Sequence, residues 1–340
     1  MCEGPSDNNV QSWVSLCHLP GSVKTVLFDD VTMACSCSDG TSSIIRILRI
    51  TNRGAEVRNE FSVHSPVLCL CVVELAGERA AAGVTALATG CQDGVVRIWR
   101  HISGSLLMSL NALQGHPVSL LLFAASNSAR AAHSVIAGSS SGAICSWGLT
   151  GTQTAPIMSL PAPIVDMHIL PVSDKLVVFG NDSTVRFLRV RDLSLLSTIT
   201  LYNVGVSRAL ASELPGDSKS RDLIIAGSID GTISVHSQMH LLIAWPAHKG
   251  EVSSMSATQW SSDSSAFNRR CFIVSAGGAY RLRCFVLQYS VFHIVLQYSV
   301  LHVDMTAGDH RLRVWLVELR QSDEDRHADA LPLLSMLRSM

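Results

Sequence analysis

Charge is scarce in this sequence. Charged residues make up only 16% of the 340, and 26 Lys plus Arg nearly balance 27 Asp plus Glu. That balance gives no overall basic footprint for nucleic acid, although it leaves room for a local patch. A membrane-spanning run is also missing. The longest apolar candidate, Val286 to Val303, is broken by Gln288, His293, Gln297 and His302, whereas a helix that crosses a bilayer needs about 20 apolar residues. No membrane association is expected. Met1 to Val10 is acidic and polar and carries no secretory signal, so a cytoplasmic or nuclear setting is expected. None of the patterns G-x-S-x-G, H-E-x-x-H or G-x-x-x-x-G-K-[ST] occurs. Their absence removes the nucleophile elbow, the zinc-protease helix and the phosphate loop as starting points.

Cysteine is present but badly spaced for a metal. Cys35/Cys37 and Cys69/Cys71 are C-x-C pairs, and no C-x2-C pair exists among the ten cysteines. On a strand, i and i+2 share a face, so each pair could hold a metal or oxidise. Without ligand spacing, small apolar fillers on buried strands are the better reading. His293, His302 and His310, with Asp304 and Asp309, fit no metal template either. No metal and no cofactor are expected.

What is abundant is apolar strand material, at 47% of the chain, enough for a sizeable core and against extensive disorder. Seven segments share one pattern: an apolar run, a small-residue turn, then a strand ending in a large residue. They are ACSCSDGTSSIIRIL (34–48), ALATGCQDGVVRIW (86–99), VIAGSSSGAICSW (135–147), LVVFGNDSTVRFL (176–188), LIIAGSIDGTISVH (223–236), IVSAGGAYRLRCF (273–285) and MTAGDHRLRVW (305–315). Each reads as a β-hairpin, because a Gly-containing turn accepts positive φ and a neighbouring Asp or Ser bonds the turn backbone. The turn positions Asp39, Asp93, Ser141, Asp182, Asp230, Ala279 and Asp309 are separated by 54, 48, 41, 48, 49 and 30 residues. Most of these spacings lie near the roughly 40–45 residues of a four-stranded propeller blade.

On these hairpins, and on Gln114-Gly115-His116-Pro117-Val118 as a Gly-His opening, the chain resembles the WD40-repeat β-propeller family. His64-Ser65-Pro66-Val67, the stretch around His248 and the stretch around His18 match that opening more loosely. The resemblance covers roughly residues 11–317. It implies an all-β, seven-bladed propeller, with a flexible N-terminus over 1–10 and a tail over 318–340. It also implies a buried hydrogen-bonded network of His, Ser or Thr, turn Asp and Trp. By position, blade two carries the full set as His64, Thr89, Asp93 and Trp99, while His116 and Trp147 are members in blade three. The chain departs from the family in that no blade ends in Trp-Asp; Arg100, Gly148 and Leu316 follow Trp99, Trp147 and Trp315.

Blades are expected at about 18–60, 61–113, 114–160, 161–202, 203–246, 247–290 and 291–317. The last is too short for four strands, so Gln11–Leu16 is expected to close it, removing an exposed edge. Val286–Ile294 (VLQYSVFHI) and Val295–Val303 (VLQYSVLHV) are near-duplicates. Two strands of similar register, or a duplication or faulty gene model, would each explain them. From Arg320 a charged stretch leads into Leu331–Leu337, which reads as a frayed terminus or a docking segment.

Catalysis is not expected, since the visible His-Ser/Thr-Asp sets fall on network positions. Arginines recur beside the third strands: Arg46 and Arg49, Arg97 and Arg100, Arg186 and Arg189, Arg281 and Arg283, Arg311 and Arg313. Solvent-facing blade sides explain them, and a basic strip for RNA is the alternative. The family resemblance implies partner binding at loops between blades and at second-to-third-strand turns. By position, Gln92, Ser140, Asn181 and Ile229 are the candidates. The function implied is a non-catalytic scaffold for other proteins. The alternative is an RNA-associated accessory subunit of a tRNA methyltransferase-type complex, suggested by a distant likeness of the sixth segment to a blade of the WD-repeat partner of such enzymes.

Overall fold

A computed structural model describes residues 22–51, 54–75, 84–125, 133–201, 205–214, 221–237, 240–257, 268–277, 281–290, 294–299, 302–305 and 312–315. All regular structure among them is β-strand. The first sheet contains β1 (Ser22–Leu27), β2 (Thr32–Ser38), β3 (Ser43–Thr51) and β4 (Gly54–Val63). The second contains β5 (Val67–Leu75), β6 (Val84–Cys91), β7 (Val96–Arg100) and β8 (Ser105–Leu110). The third contains β9 (Leu120–Ala124), β10 (Ser134–Gly138), β11 (Ala143–Gly148) and β12 (Gln153–Ser159).

The fourth sheet is formed by β13 (Ile164–Leu170), β14 (Lys175–Gly180), β15 (Thr184–Arg189) and β16 (Leu195–Thr200). The fifth is formed by β17 (Val206–Leu214), β18 (Arg221–Ser228), β19 (Thr232–Ser237) and β20 (His240–Pro246). The sixth is formed by β21 (Val252–Ala257), β22 (Asn268–Gly277), β23 (Arg281–Ser290) and β24 (Ile294–Ser299). A two-stranded seventh sheet pairs β25 (His302–Met305) with β26 (Leu312–Trp315). Within every sheet the strands lie side by side in chain order. All seven hairpins read from the sequence are therefore present as antiparallel strand pairs.

The register about the turn position repeats in four sheets. Thr89 faces Arg97, Val178 faces Arg186, Ala226 faces Ser234 and Ser275 faces Arg283. A bulge follows the first residue of the opening strand in four sheets, at Val67/Cys69, Ile164/Asp166, Val206/Arg208 and Val252/Ser254. Bulges bend a strand and re-aim its side chains, and their recurrence at one register marks these sheets as copies of one unit.

Two blade limits need correction. The first sheet runs to Val63, not to residue 60. More substantially, the fourth strand of the sixth sheet comes from the second copy of the duplication. Val286 faces Gln297, Leu287 faces Leu296 and Gln288 faces Val295 in β23 and β24, so the sixth blade extends to Ser299, well past residue 290. The two copies are the arms of one hairpin, which agrees with two strands of similar register. Gln11–Leu16 lies outside the described residues, as does the tail from Arg320.

Two compact units divide the chain: Met1–Val135 with Leu149–Gly151, and Ile136–Gly148 with Thr152–Met340. In the first unit, Ala34, Ile45, Ile47, Val63, Val67, Leu87, Cys91 and Trp99 form one apolar cluster between the first two sheets. In the second, Val177, Phe179, Val185, Phe187, Ile199, Val206, Ile224 and Ala226 join the fourth sheet to the fifth. Leu223, Ile225, Ile233, Val235, Val252 and Ile273 join the fifth to the sixth. In the first five sheets the second strands are buried on both faces over most of their length, as are β11, β15 and β19, which explains their nearly unbroken apolar runs. Fourth strands such as β8, β16 and β20 are mostly exposed.

Candidate functional site

Each of the first five sheets presents a tight turn between its second and third strands, built around an Asp in four of them and around Ser139 and Ser141 in the third. The residue after the turn position has positive φ: Gly40 at 95°, Gly94 at 80°, Gly142 at 93°, Ser183 at 60° and Gly231 at 88°. Glycine meets this demand without a Cβ penalty, and among the described turns only that of the fourth sheet imposes it on a side-chain-bearing residue. Asp39 Oδ1 accepts from the N–H groups of Thr41 and Ser42 at 2.8 and 2.7 Å. Asp230 Oδ1 accepts from Thr232 N at 2.8 Å and from the Ser228 hydroxyl.

Those hydrogen bonds hold the Asp39 carboxyl well below the usual carboxylate value, and the Ser228 and Thr232 donors do the same at Asp230. At Asp93 and Asp182, partial burial works upward but is outweighed. Arg97 with the Val95 N–H lowers Asp93, and Arg186 with Thr184 lowers Asp182.

The main chain fixes the turns of the second, fourth and fifth sheets from both sides. Gln92 N donates to Pro66 O at 2.9 Å, Asn181 N to Pro163 O at 3.1 Å and Ile229 N to Gly205 O at 3.1 Å. Beyond the turns, Leu113 N donates to Gly94 O, Leu160 N to Gly142 O, Leu201 N to Ser183 O and Ala247 N to Gly231 O, at 2.7–3.1 Å. Gln92, Ser140 and Asn181 are exposed, and Ile229 keeps 54% of its surface accessible. The four candidate binding residues thus stand outward on rigid turns at one repeated position. Within the second unit, Ser140, Asn181 and Ile229 occupy this position in successive sheets.

The expected network residues are only partly brought together. Buried Trp99 donates from Nε1 to Thr89 Oγ1 at 3.1 Å, and the Thr89 hydroxyl donates to Arg97 O at 3.3 Å. Asp93 instead pairs with the guanidinium of Arg97, at 3.2 and 2.6 Å. His64 is exposed and bonds neither Thr89 nor Asp93. His116 is exposed as well, and the buried Trp147 Nε1 has no hydrogen-bond partner.

Two polar pairs escaped the sequence reading. His248 Nε2 lies 2.8 Å from Ser275 Oγ, both buried, and Ser234 Oγ lies 2.9 Å from His236 Nε2. The first was within reach, because Ser275 precedes its turn position by four residues, as Thr89 does. In the second, His236 occupies the strand position held by Trp99, and burial pulls its imidazole down.

The arginines beside the third strands are largely matched by acids. Arg46 binds Glu60 at 2.5 Å, Arg186 binds Asp182 at 3.0 Å and Arg189 binds Asp192 at 3.3 Å. The Asp93–Arg97 and Asp182–Arg186 pairs share one place in their sheets. Arg281, Arg283, Arg311 and Arg313 have no described side chains. Cys35 and Cys37 are buried. Burial raises the thiols of Cys69, of Cys71 to about 11 and of Cys145 to about 12, so they are poor nucleophiles. Among the described residues no three His, Cys, Asp or Glu side chains are grouped to hold a metal.

No family model and no curated protein matches the chain. Solved structures do. It is similar to the WD40 propeller domain of Doa1, at 17% identity and a TM-score of 0.54, over 81% of this chain and 91% of that one. The C-terminal WD40 domain of Sif2 is similar at 16% identity and a TM-score of 0.53, over 83% of this chain and 73% of that one. BBS1N, solved in complex with ARL6DN, is similar at 14% identity and a TM-score of 0.56, over 76% of this chain and 75% of that one. With its tandem four-stranded sheets and repeated registers, the chain has the WD40 β-propeller fold.

Proposed function

We propose that this protein is a non-catalytic scaffold that assembles other proteins through its exposed hairpin turns. The observation that carries this reading is the repeated turn itself. Main-chain bonds and an Asx-type carboxylate (serine hydroxyls in the third sheet) fix the backbone, while the residue just before the turn position differs from sheet to sheet: Gln92, Ser140, Asn181, Ile229. A rigid frame with variable tips suits recognition, because little ordering entropy is lost on binding. The fold supports the same reading, since WD40 propellers generally serve as interaction scaffolds and BBS1N was solved with a protein bound.

We place the propeller at 11–317 and the protein in the cytoplasm or nucleus; imaging of a tagged chain tests the latter. The RNA-associated alternative gains no support from Arg46, Arg97, Arg186 and Arg189, each of which already faces a carboxylate. Affinity purification with mass spectrometry tests the scaffold reading. Stoichiometric protein partners are expected with the native chain and should be lost with Asn181→Ala combined with Ile229→Asp, while circular dichroism stays unchanged. Failure to recover any partner, or recovery insensitive to these turns, counts against it.

A further inference from the structure

The first strands of the fourth and fifth sheets meet through two side chains that grip the backbone of one residue. His168 on β13 places Nε2 2.8 Å from the carbonyl oxygen of Ala209 on β17. Asp166, two residues earlier and so on the same side of β13, accepts from the Ala209 N–H at 3.4 Å through Oδ2. Its Oδ1 accepts from Met167 N at 2.9 Å and lies 3.6 Å from His168 Nε2. β17 is an edge strand, paired only with β18, where Ala209 faces Ala226. The two side chains therefore take up backbone groups that an edge strand would otherwise leave open. Both are about three-quarters buried, at 25% and 23% exposed.

We propose that Asp166 and His168 form a proton-loaded latch on β17, tightest while the imidazole is charged. The charged ring has donors on both nitrogens and can do nothing but donate to Ala209 O, beside a carboxylate counter-charge. A neutral ring loses the ion pair and gains a tautomer whose Nε2 lone pair opposes the carbonyl. Asp166 is the charge that acts on the ring. Lys175 of β14 is paired with Asp222, Glu213 of β17 accepts from the Val172 and Ser173 N–H groups, and Phe179 of β14 meets the imidazole edge-on at 6.0 Å. Arg208, the charged neighbour on β17, directs its guanidinium to the carbonyls of Ser253 and Ser207. Burial pulls the imidazole down, but Asp166 and the Ala209 carbonyl outweigh it and leave the group raised.

The sign follows. A raised folded value makes the latch fully effective below the ordinary imidazole value of 6.5, and its contribution fades as pH climbs through the folded value.

Two measurements on the full chain decide it. An NMR titration of the His168 ring should give a midpoint above 6.5 that falls in Asp166→Asn; a native midpoint at or below the ordinary value overturns the latch. Hydrogen exchange of residues 206–214, corrected for intrinsic rates, should lose protection several-fold between about pH 5.5 and about pH 8. That loss should disappear in His168→Gln. An equal loss in both chains, or none in the native one, overturns it too.

Discussion

At the scale of single residues, the buried polar contacts divide into satisfied and orphaned ones, and the difference is measurable. Thr89 is fully buried, and its hydroxyl both receives from Trp99 and donates to Arg97 O. Trp99→Phe should cost about 1–3 kcal/mol in urea unfolding, from the lost bond and the smaller ring. A double-mutant cycle with Thr89→Val should return a coupling of about 1 kcal/mol. Turn glycines separate along similar lines. A Cβ at Gly40 meets nothing, so Gly40→Ala carries only backbone strain of about 1–2 kcal/mol. At Gly231 the Cβ would strike the carbonyl oxygens of His248 and Gly250. Gly231→Ala should therefore lose at least about 3 kcal/mol, read by the same unfolding experiment.

Among elements, the turns respond to acid as a group. Asp93, Asp182 and Asp230 have folded values below the ordinary 3.8. Each contributes stability that is present above that value and is lost as pH falls through the folded value. The urea midpoint should fall steeply below about pH 4, and less steeply in Asp182→Asn. Much of each hairpin was legible in sequence, because Asp-Gly turns and β-branched runs act locally. The Asp93–Arg97 and Asp182–Arg186 pairs were legible too, since the same i, i+4 spacing occurs in both, but the aspartates were read as turn residues and the arginines as blade-side charges, each without the other. His64 was not legible. Whether an opening histidine reaches Thr89 depends on the loop path between sheets, which no local pattern encodes. The duplicate repeat was ambiguous for a related reason. Near-identical copies fit two strands of similar register as well as a duplication, and strand pairing, which no local pattern encodes, shows the two strands.

At the scale of the whole molecule, burial in the first five sheets falls from the second strand to the fourth, and this gradient should set the cost of mutation. Phe179 on β14 is fully buried in the cluster that joins the fourth and fifth sheets, whereas Leu195 on β16 is 58% exposed. Both are large apolar residues on strands of one blade, so sequence composition cannot rank them. The sheet order can, because β16 is an edge while β14 lies between partners and under the next sheet. Phe179→Ala leaves a cavity that two packed sheets cannot readily collapse, and about 3–5 kcal/mol should be lost. Leu195→Ala should change stability by less than about 0.5 kcal/mol. Because each sheet buries its apolar face against the next, the Phe179 cavity should loosen more than its own blade. Hydrogen exchange should show reduced protection in β18 as well as in β14, with the first unit's sheets little changed. Loss confined to the fourth sheet would mean that the blades of the second unit are stabilised separately instead of through the clusters between them.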